Sequence, residues 1–217
     1  MGHQGIEMFR QLTPIVRALL VTNVVVWLVQ VLTLSGPLSQ AMLALQLWPW
    51  HGMERFHGYS LEPWQLLSYG FLHDPTNPAH LLFNMLALYM FGPECERLLG
   101  SRRFLTYYLV CVVGAALAQT FVTAVIYPSP YPTVGASGGI FGLLLLFGTA
   151  YPRRRLMLLF PPIPLPAWLF VTLYGLLELY LGVFGTDQGV AHFAHLGGMA
   201  AGYLLLRHWR GRAQRFS

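Results

Sequence analysis

Six apolar segments, approximately residues 15–34, 79–98, 104–126, 137–151, 167–183 and 190–208, occupy most of the 217 positions. Such segments leave few folds open. In hydrocarbon a backbone N–H or C=O has no water to bond, so a chain crosses only as a helix or as part of a closed barrel. Apolar runs of about 20 residues match the helical solution. Charged residues make up 10% of the chain and hydrophobic ones 55%, whereas soluble domains carry roughly 25% charged residues. The expectation is an all-α membrane protein with six transmembrane helices in a single domain, residues 1–217. No small-residue cleavage site follows the first segment, so it reads as a retained anchor.

The net charge of +5 comes entirely from arginine, since the chain has no lysine. Twelve of the thirteen arginines lie before segment one, between two and three, between four and five, or after six; Arg55 alone lies on the other side. This positive-inside pattern predicts cytoplasmic termini. A nucleic-acid partner would call for a contiguous basic surface interleaved with aromatics, which the pattern excludes. Cys95 and Cys111 fall on the cytoplasmic half and suggest no disulfide framework.

Asn23, inside the first segment, reads as a hydrogen-bonding link to another helix. Residues 35–78 form a long outer connection that is too apolar for a solvated loop. Its Trp48, Trp50 and Trp64 suit the headgroup zone, so it reads as partly embedded. His51, His57 and His73 lack metal-ligand spacing and are expected to be ordinary surface residues.

The fourth segment stands apart. It opens on Gly135-Ala136-Ser137-Gly138 and is only about 14 residues long, a rise of ~21 Å against a hydrocarbon core of about 30 Å. Ser137 therefore lies below the outer surface if Arg153 to Arg155 pin the lower end. A plain helix N-cap is the structural explanation for that hydroxyl. Other segments bring polar groups to the same level. Counting upward from the arginines at ~1.5 Å per residue, His195 sits about 12 Å, Asn84 about 10 Å, Ser137 about 6 Å and His80 about 5 Å below the outer interface. His80 and Asn84, four residues apart, share a helical face. Gly138 and Gly142, and likewise Gly198 and Gly202, form small-residue faces that let two helices approach closely, which would bring Ser137 beside His195.

These residue types fit acyl transfer. A neutral imidazole takes the serine proton during attack and returns it to the leaving amine. The oxyanion then needs preorganised donors, and the Asn84 amide, a His80 N–H and the Ser137 backbone N–H qualify. No acidic residue obviously orients His195, which leaves a Ser-His dyad, with water reaching it from the outer face. His192, three residues earlier, is a rival base placed nearer the mouth. Glu178 in the fifth segment is open between a protonated acid, a link between helices and a cavity-lining group.

Gly135-Ala136-Ser137-Gly138, His80-x-x-x-Asn84 and Ala194-His195-Leu196-Gly197-Gly198 with Gly202, on the fourth, second and sixth segments respectively, resemble the rhomboid family of intramembrane serine proteases. The resemblance covers all six segments and implies a rhomboid-like bundle. It implies Ser137 as nucleophile, His195 as base, and His80 and Asn84 at the oxyanion. It further implies cleavage of transmembrane protein substrates in or next to their membrane helices, with membrane lipids as surroundings and no cofactor. The compact form suggests a bacterial plasma membrane. It also supports a structural role for Glu96. Gln65 stands where many members have arginine after tryptophan, and Phe141 where some place a tyrosine against the catalytic imidazole. By extension, the fifth helix and the loop 184–189 would gate entry, and a substrate would lie as a strand beside residues 128–136.

Two other intramembrane protease chemistries are excluded: there is no His-Glu-x-x-His, and Asp74 and Asp187 both fall in outer loops. Two rivals from other classes are a catalytically silent rhomboid-like protein that binds single-pass clients and a small transporter. The first is expected to lack the serine or the base. The second is expected to show inverted repeats, which this sequence lacks.

Overall fold

A computed structural model describes residues 12–50, 58–128, 131–158, 162–184 and 191–213. Helix α1 spans Pro14–Leu32, α2 Pro37–Ala44, and α3 Gln65–Ser68, which runs into a 3-10 turn over Tyr69–Phe71. Then come α4 (Pro78–Leu99), α5 (Ser101–Val125), α6 (Ser137–Ala150), α7 (Ala167–Phe184) and α8 (His192–Ala213). Helices thus stand at each of the six expected segments. Between α6 and α7, where four prolines forbid helix, β1 (Arg155–Met157) pairs antiparallel with β2 (Pro164–Pro166). By length and composition α1, α5 and α7 can cross a membrane, and α6 is a shorter apolar helix.

The short helix is the centre of the molecule. Ten consecutive or near-consecutive residues of α6, from Gly138 to Gly148, are buried, as expected of a helix that is apolar all round. The helices around it turn bulky apolar side chains outward: Val25, Leu28 and Leu32 on α1, Leu173, Leu176 and Leu177 on α7. An exterior of this kind is suited to lipid and poorly suited to water.

Close approach explains how α8 reaches the centre. It packs chiefly on α5 and α6. A Cβ on Gly198 would fall on the carbonyl oxygen of Gly138, and one on Gly142 would meet the Cys111 sulfur and, at 3.4 Å, the Gly198 oxygen. The two glycine faces therefore meet as expected. Cys95 and Cys111 are free thiols and buried.

Polar side chains fix the periphery. Glu96 accepts from the Ile15 and Val16 amides at 3.1 and 2.9 Å, capping the start of α1, and from the Ser101 hydroxyl at 2.6 Å. That is the structural role expected of it. Glu94 pairs with Arg97 and Arg154 at the surface, where such bonds contribute little. Asn23 departs from expectation: its amide donates to the Leu19 carbonyl of its own helix, 2.7 Å away, and makes no bond across helices among the described residues. The α1 side chains that do reach outward include Gln30, which accepts from the His73 amide at 3.0 Å, and Trp27, which donates to the Asp74 carbonyl at 3.0 Å.

The outer connection is pinned rather than laid loosely on the surface. Gln65 is buried; its oxygen accepts from the Trp48 amide, and its amide donates to the Ala44 and Ser60 carbonyls. Anchoring is thus accomplished without the arginine. Trp50 and Trp64 are exposed, but Trp48 is buried, stacked on Tyr59 and donating to the Leu43 carbonyl. The 3-10 turn sits against α5 through a Tyr69 hydroxyl bond to the Val112 carbonyl, 2.8 Å. Tyr69 also accepts from the Gly135 amide at 3.1 Å, and Leu47 exchanges both backbone bonds with Thr133. The first outer connection therefore holds the strand that delivers Ser137.

Candidate active site

Ser137 is the first residue of α6, and Ala136, not Ser137, occupies the cap position. No side chain caps this helix. The structural explanation for the hydroxyl is thereby removed, and its partner lies on another helix: His195 Nε2 of α8 is 2.8 Å from Ser137 Oγ. The Gly138–Gly198 crossing, one residue beyond the serine and three beyond the histidine, sets that distance. Phe141, one turn along α6, lies flat on the His195 ring, with centroids 4.2 Å apart and planes 5° from parallel. The ring expected there is in place and stacks without a hydroxyl.

The far side of His195 corrects the sequence reading. An acidic residue does meet it: Glu178 Oε2, from α7, lies 2.8 Å from His195 Nδ1 and 2.7 Å from His192 Nδ1. All three side chains are buried. Glu178 thus links α7 to α8, and His192 sits beside the carboxylate with no hydrogen bond to Ser137 among the described residues. One ring nitrogen of each histidine and one oxygen of Glu178 all lie within 4.8 Å of one another. Two N–H groups converging on one oxygen account for that spacing by hydrogen bonding alone.

On the other side of the serine is Gly135, with a φ of 129°, which strongly favours glycine. A Cβ there would stand 3.0 Å from His80 Nε2 and 3.7 Å from Ser137 Oγ. His80 and Ser137 thus border one small space, kept open by the missing side chain. His80 Nδ1 faces the Asp74 amide at 3.4 Å, which assigns the ring proton to Nε2, on the side of that space. Asn84 is buried, and its amide donates to the His80 carbonyl one turn back, at 2.8 Å. One of its two protons is used there. The Ser137 N–H, at a helix start, has no intrahelical acceptor. Gly135→Ala is expected to lower any Ser137-dependent activity about a hundredfold, since the methyl group crowds the His80 ring and strains the backbone that delivers Ser137. Wild-type turnover in that variant would exclude this space as part of the site.

His73 corrects a second expectation. It is fully buried, its ring 5.1 Å from that of His80, and neither nitrogen has a partner among the described residues. Burial, and then the His80 ring, push its imidazolium from the ordinary 6.5 down to about 3. Between those values the unfolded chain holds a proton that the folded chain does not, so stability falls as pH drops through the window. The melting temperature of His73→Leu is expected to decline less steeply on acidification than that of the parent; equal slopes would refute this. His51, His57 and residues 185–189 of the expected gate loop lie outside the described residues.

A protein-family model described as the Rhomboid domain matches residues 60–210. Among curated proteins, the chain is 34% identical over 143 residues to Rhomboid protease GluP of Bacillus subtilis, covering 65% of this chain and 25% of that one. It is 35% identical over 152 residues to RHOMBOID-like protein 4 of Arabidopsis thaliana, covering 66% and 33%. Rhomboid protease GlpG of Yersinia pestis is 24% identical over 205 residues, covering 93% and 64%. The chain spans between a quarter and about two thirds of the length of these relatives. The family match covers the later part of the outer connection, the Ser137 helix and the His195 helix together: this chain is an integral membrane protein of the rhomboid family.

Proposed function

We propose that the protein is an intramembrane serine protease that hydrolyses peptide bonds in or next to the transmembrane segments of other membrane proteins. The observation that carries this reading is the 2.8 Å contact between Ser137 Oγ and His195 Nε2, made across two helices by a hydroxyl with no capping role. Ser137 attacks the scissile carbonyl while His195 takes its proton, and the imidazolium then protonates the leaving amine. The developing oxyanion is received by the Ser137 N–H, His80 Nε2–H and the remaining Asn84 N–H. No cofactor is needed for these steps.

The reading includes a single domain of six spans, with both termini in the cytoplasm of a bacterial cell and the site near the outer face. Thr133 and Gly135 bond inward to Leu47 and Tyr69, so an extended substrate would pair with the opposite edge, at Val134. Transmembrane substrates and surrounding lipid are the partners, and nucleic acid is not one.

The test is cleavage of a single-pass substrate by purified protein in liposomes, compared with Ser137→Ala and His195→Ala. Loss of cleavage in both folded variants supports the reading. Capture of substrate without cleavage by the intact protein would replace it with that of a silent client-binding protein.

A further inference from the structure

We propose that Glu178 is the positioning carboxylate of a Ser137–His195–Glu178 triad, held in place by His192; this rests on the protease reading above. The geometry is restrictive. Glu178 Oε2 receives two imidazole nitrogens, His192 Nδ1 at 2.7 Å and His195 Nδ1 at 2.8 Å. With Glu178 ionised, its oxygen can only accept, so both contacts are hydrogen bonds when each ring carries its proton on Nδ1. His195 is thereby left with a lone pair on Nε2, the atom facing Ser137 Oγ. That is the one neutral tautomer able to accept the serine proton. Phe141 fixes the plane of the ring, and Glu178 fixes its rotation and tautomer.

The carboxylate also matters while the bond is made. As Oγ bonds the carbonyl carbon, its proton moves to His195 Nε2 and the ring becomes positive. A negative oxygen 2.8 Å from Nδ1 stabilises that charge in a water-poor site. The proton stays on the imidazole until the leaving amine takes it; Glu178 accepts none. His192 has a separate task. Its Nε2 is buried with no partner among the described residues, so its hydrogen bond goes to Glu178. Its ring stands at 89° to that of His195, which lets both Nδ1–H groups converge on one oxygen. A lone carboxylate on α7, whose other buried residues are Ala167 and Val171, would otherwise be costly to hold ionised. Among the described residues, the titratable or hydroxyl groups facing His195 are Glu178 from α7, His192 on its own helix, Ser137 from α6 and His80 from α4. Helix α5 presents Gly114, Ala115 and Ala118 to the adjoining stretch of α8.

The experiment measures kcat, KM and their pH profiles for the full chain in liposomes, with Glu178→Gln, Glu178→Asp and His192→Asn beside the parent, and melting temperatures alongside. Glu178→Gln is expected to lower kcat about 10²–10⁴-fold with KM little changed. Its acid limb moves to lower pH, because the imidazolium no longer faces a negative charge. Glu178→Asp restores part of kcat and returns the limb, and His192→Asn, which keeps an N–H donor, retains activity to within about tenfold. Parental kcat and acid limb in Glu178→Gln would overturn the proposal and leave the protease reading standing. A loss that follows the melting temperature, with the pH profile unmoved, would also overturn it. Should Glu178→Gln not fold, Glu178→Asp decides: a lowered kcat at parental KM supports the proposal, and parental kcat overturns it. Absence of cleavage by the intact protein overturns both readings.

Discussion

Ser137→Ala is expected to bring substrate cleavage to background, a loss of about 10³-fold or more, with the melting temperature unchanged. The two effects separate because the hydroxyl has no structural duty. It caps nothing, and among the described residues its hydrogen bond is with His195, which keeps its bond to Glu178 when the hydroxyl is gone. Alanine is also the better helix former at this position. His195→Ala is expected to abolish cleavage equally and to cost stability as well. It removes a ring stacked on Phe141 and one of the two donors on a buried carboxylate, a hydrogen bond to charge worth about 1.5–3 kcal/mol. Cleavage rates and thermal melts of the two variants, side by side, distinguish a nucleophile from a structural serine. If Ser137→Ala cleaves at the parental rate, the hydroxyl is not the nucleophile. If Ser137→Ala is dead and His195→Ala is active, the base moves to His192.

What the sequence discloses about this site follows from where polar atoms are expensive. Ser137, His80, Asn84 and His195 interrupt apolar helices, so each is conspicuous, and counting from the arginines brings them to one level. The glycine spacings then name the helices that touch, and the Gly138–Gly198 crossing bears this out. Glu178 was equally conspicuous, but its partner was not. In a soluble protein the apolar stripe of a helix shows which face turns inward. On α7 the lipid-facing leucines are as apolar as the buried residues, and that signal vanishes. A usable signal remained in depth: Glu178 lies eleven residues above Ala167, about 17 Å, and His195 about 18 Å above Arg207. Ala167, Val171 and Glu178 also fall on one helical face, and Val171 packs against Gly148.

The outer connection was legible as partly embedded but not in its bonds. Gln65 satisfies three backbone groups of its own loop, and such closures depend on turn geometry that residue type alone does not specify. His73 departs from a surface expectation for a related reason. A histidine between two loop residues has the sequence character of a solvated one. Only the bonds of its backbone to Gln30, and of Asp74 to Trp27, reveal that the loop is drawn inward.

Gly198→Ala is expected to be the most damaging glycine-to-alanine change among the described residues. The added Cβ would fall on the Gly138 carbonyl oxygen and stand 2.8 Å from the Gly138 carbonyl carbon and 3.2 Å from its Cα. All three are backbone atoms of the central helix, so no rotamer change makes room. Helix α8 cannot retreat sideways either, because a Cβ on the neighbouring Gly197 already meets Ala118, the Gly114 oxygen at 2.9 Å and Ala115 Cα at 3.2 Å. Overpacking ordinarily costs about 1–3 kcal/mol, with flexible side chains absorbing part of it; here the crossing itself has to open. A separation of about 1 Å would break the Ser137–His195 contact and cost about a hundredfold in rate even in molecules that stay folded. Gly211→Ala, on the same helix with nothing within 4 Å, is the control and is expected to be neutral or slightly stabilising. Melting temperatures and cleavage rates of the two variants decide the matter. A parental melting temperature in Gly198→Ala would mean that α8 does not rest on α6 through this crossing, and the placement of His195 would then need another cause.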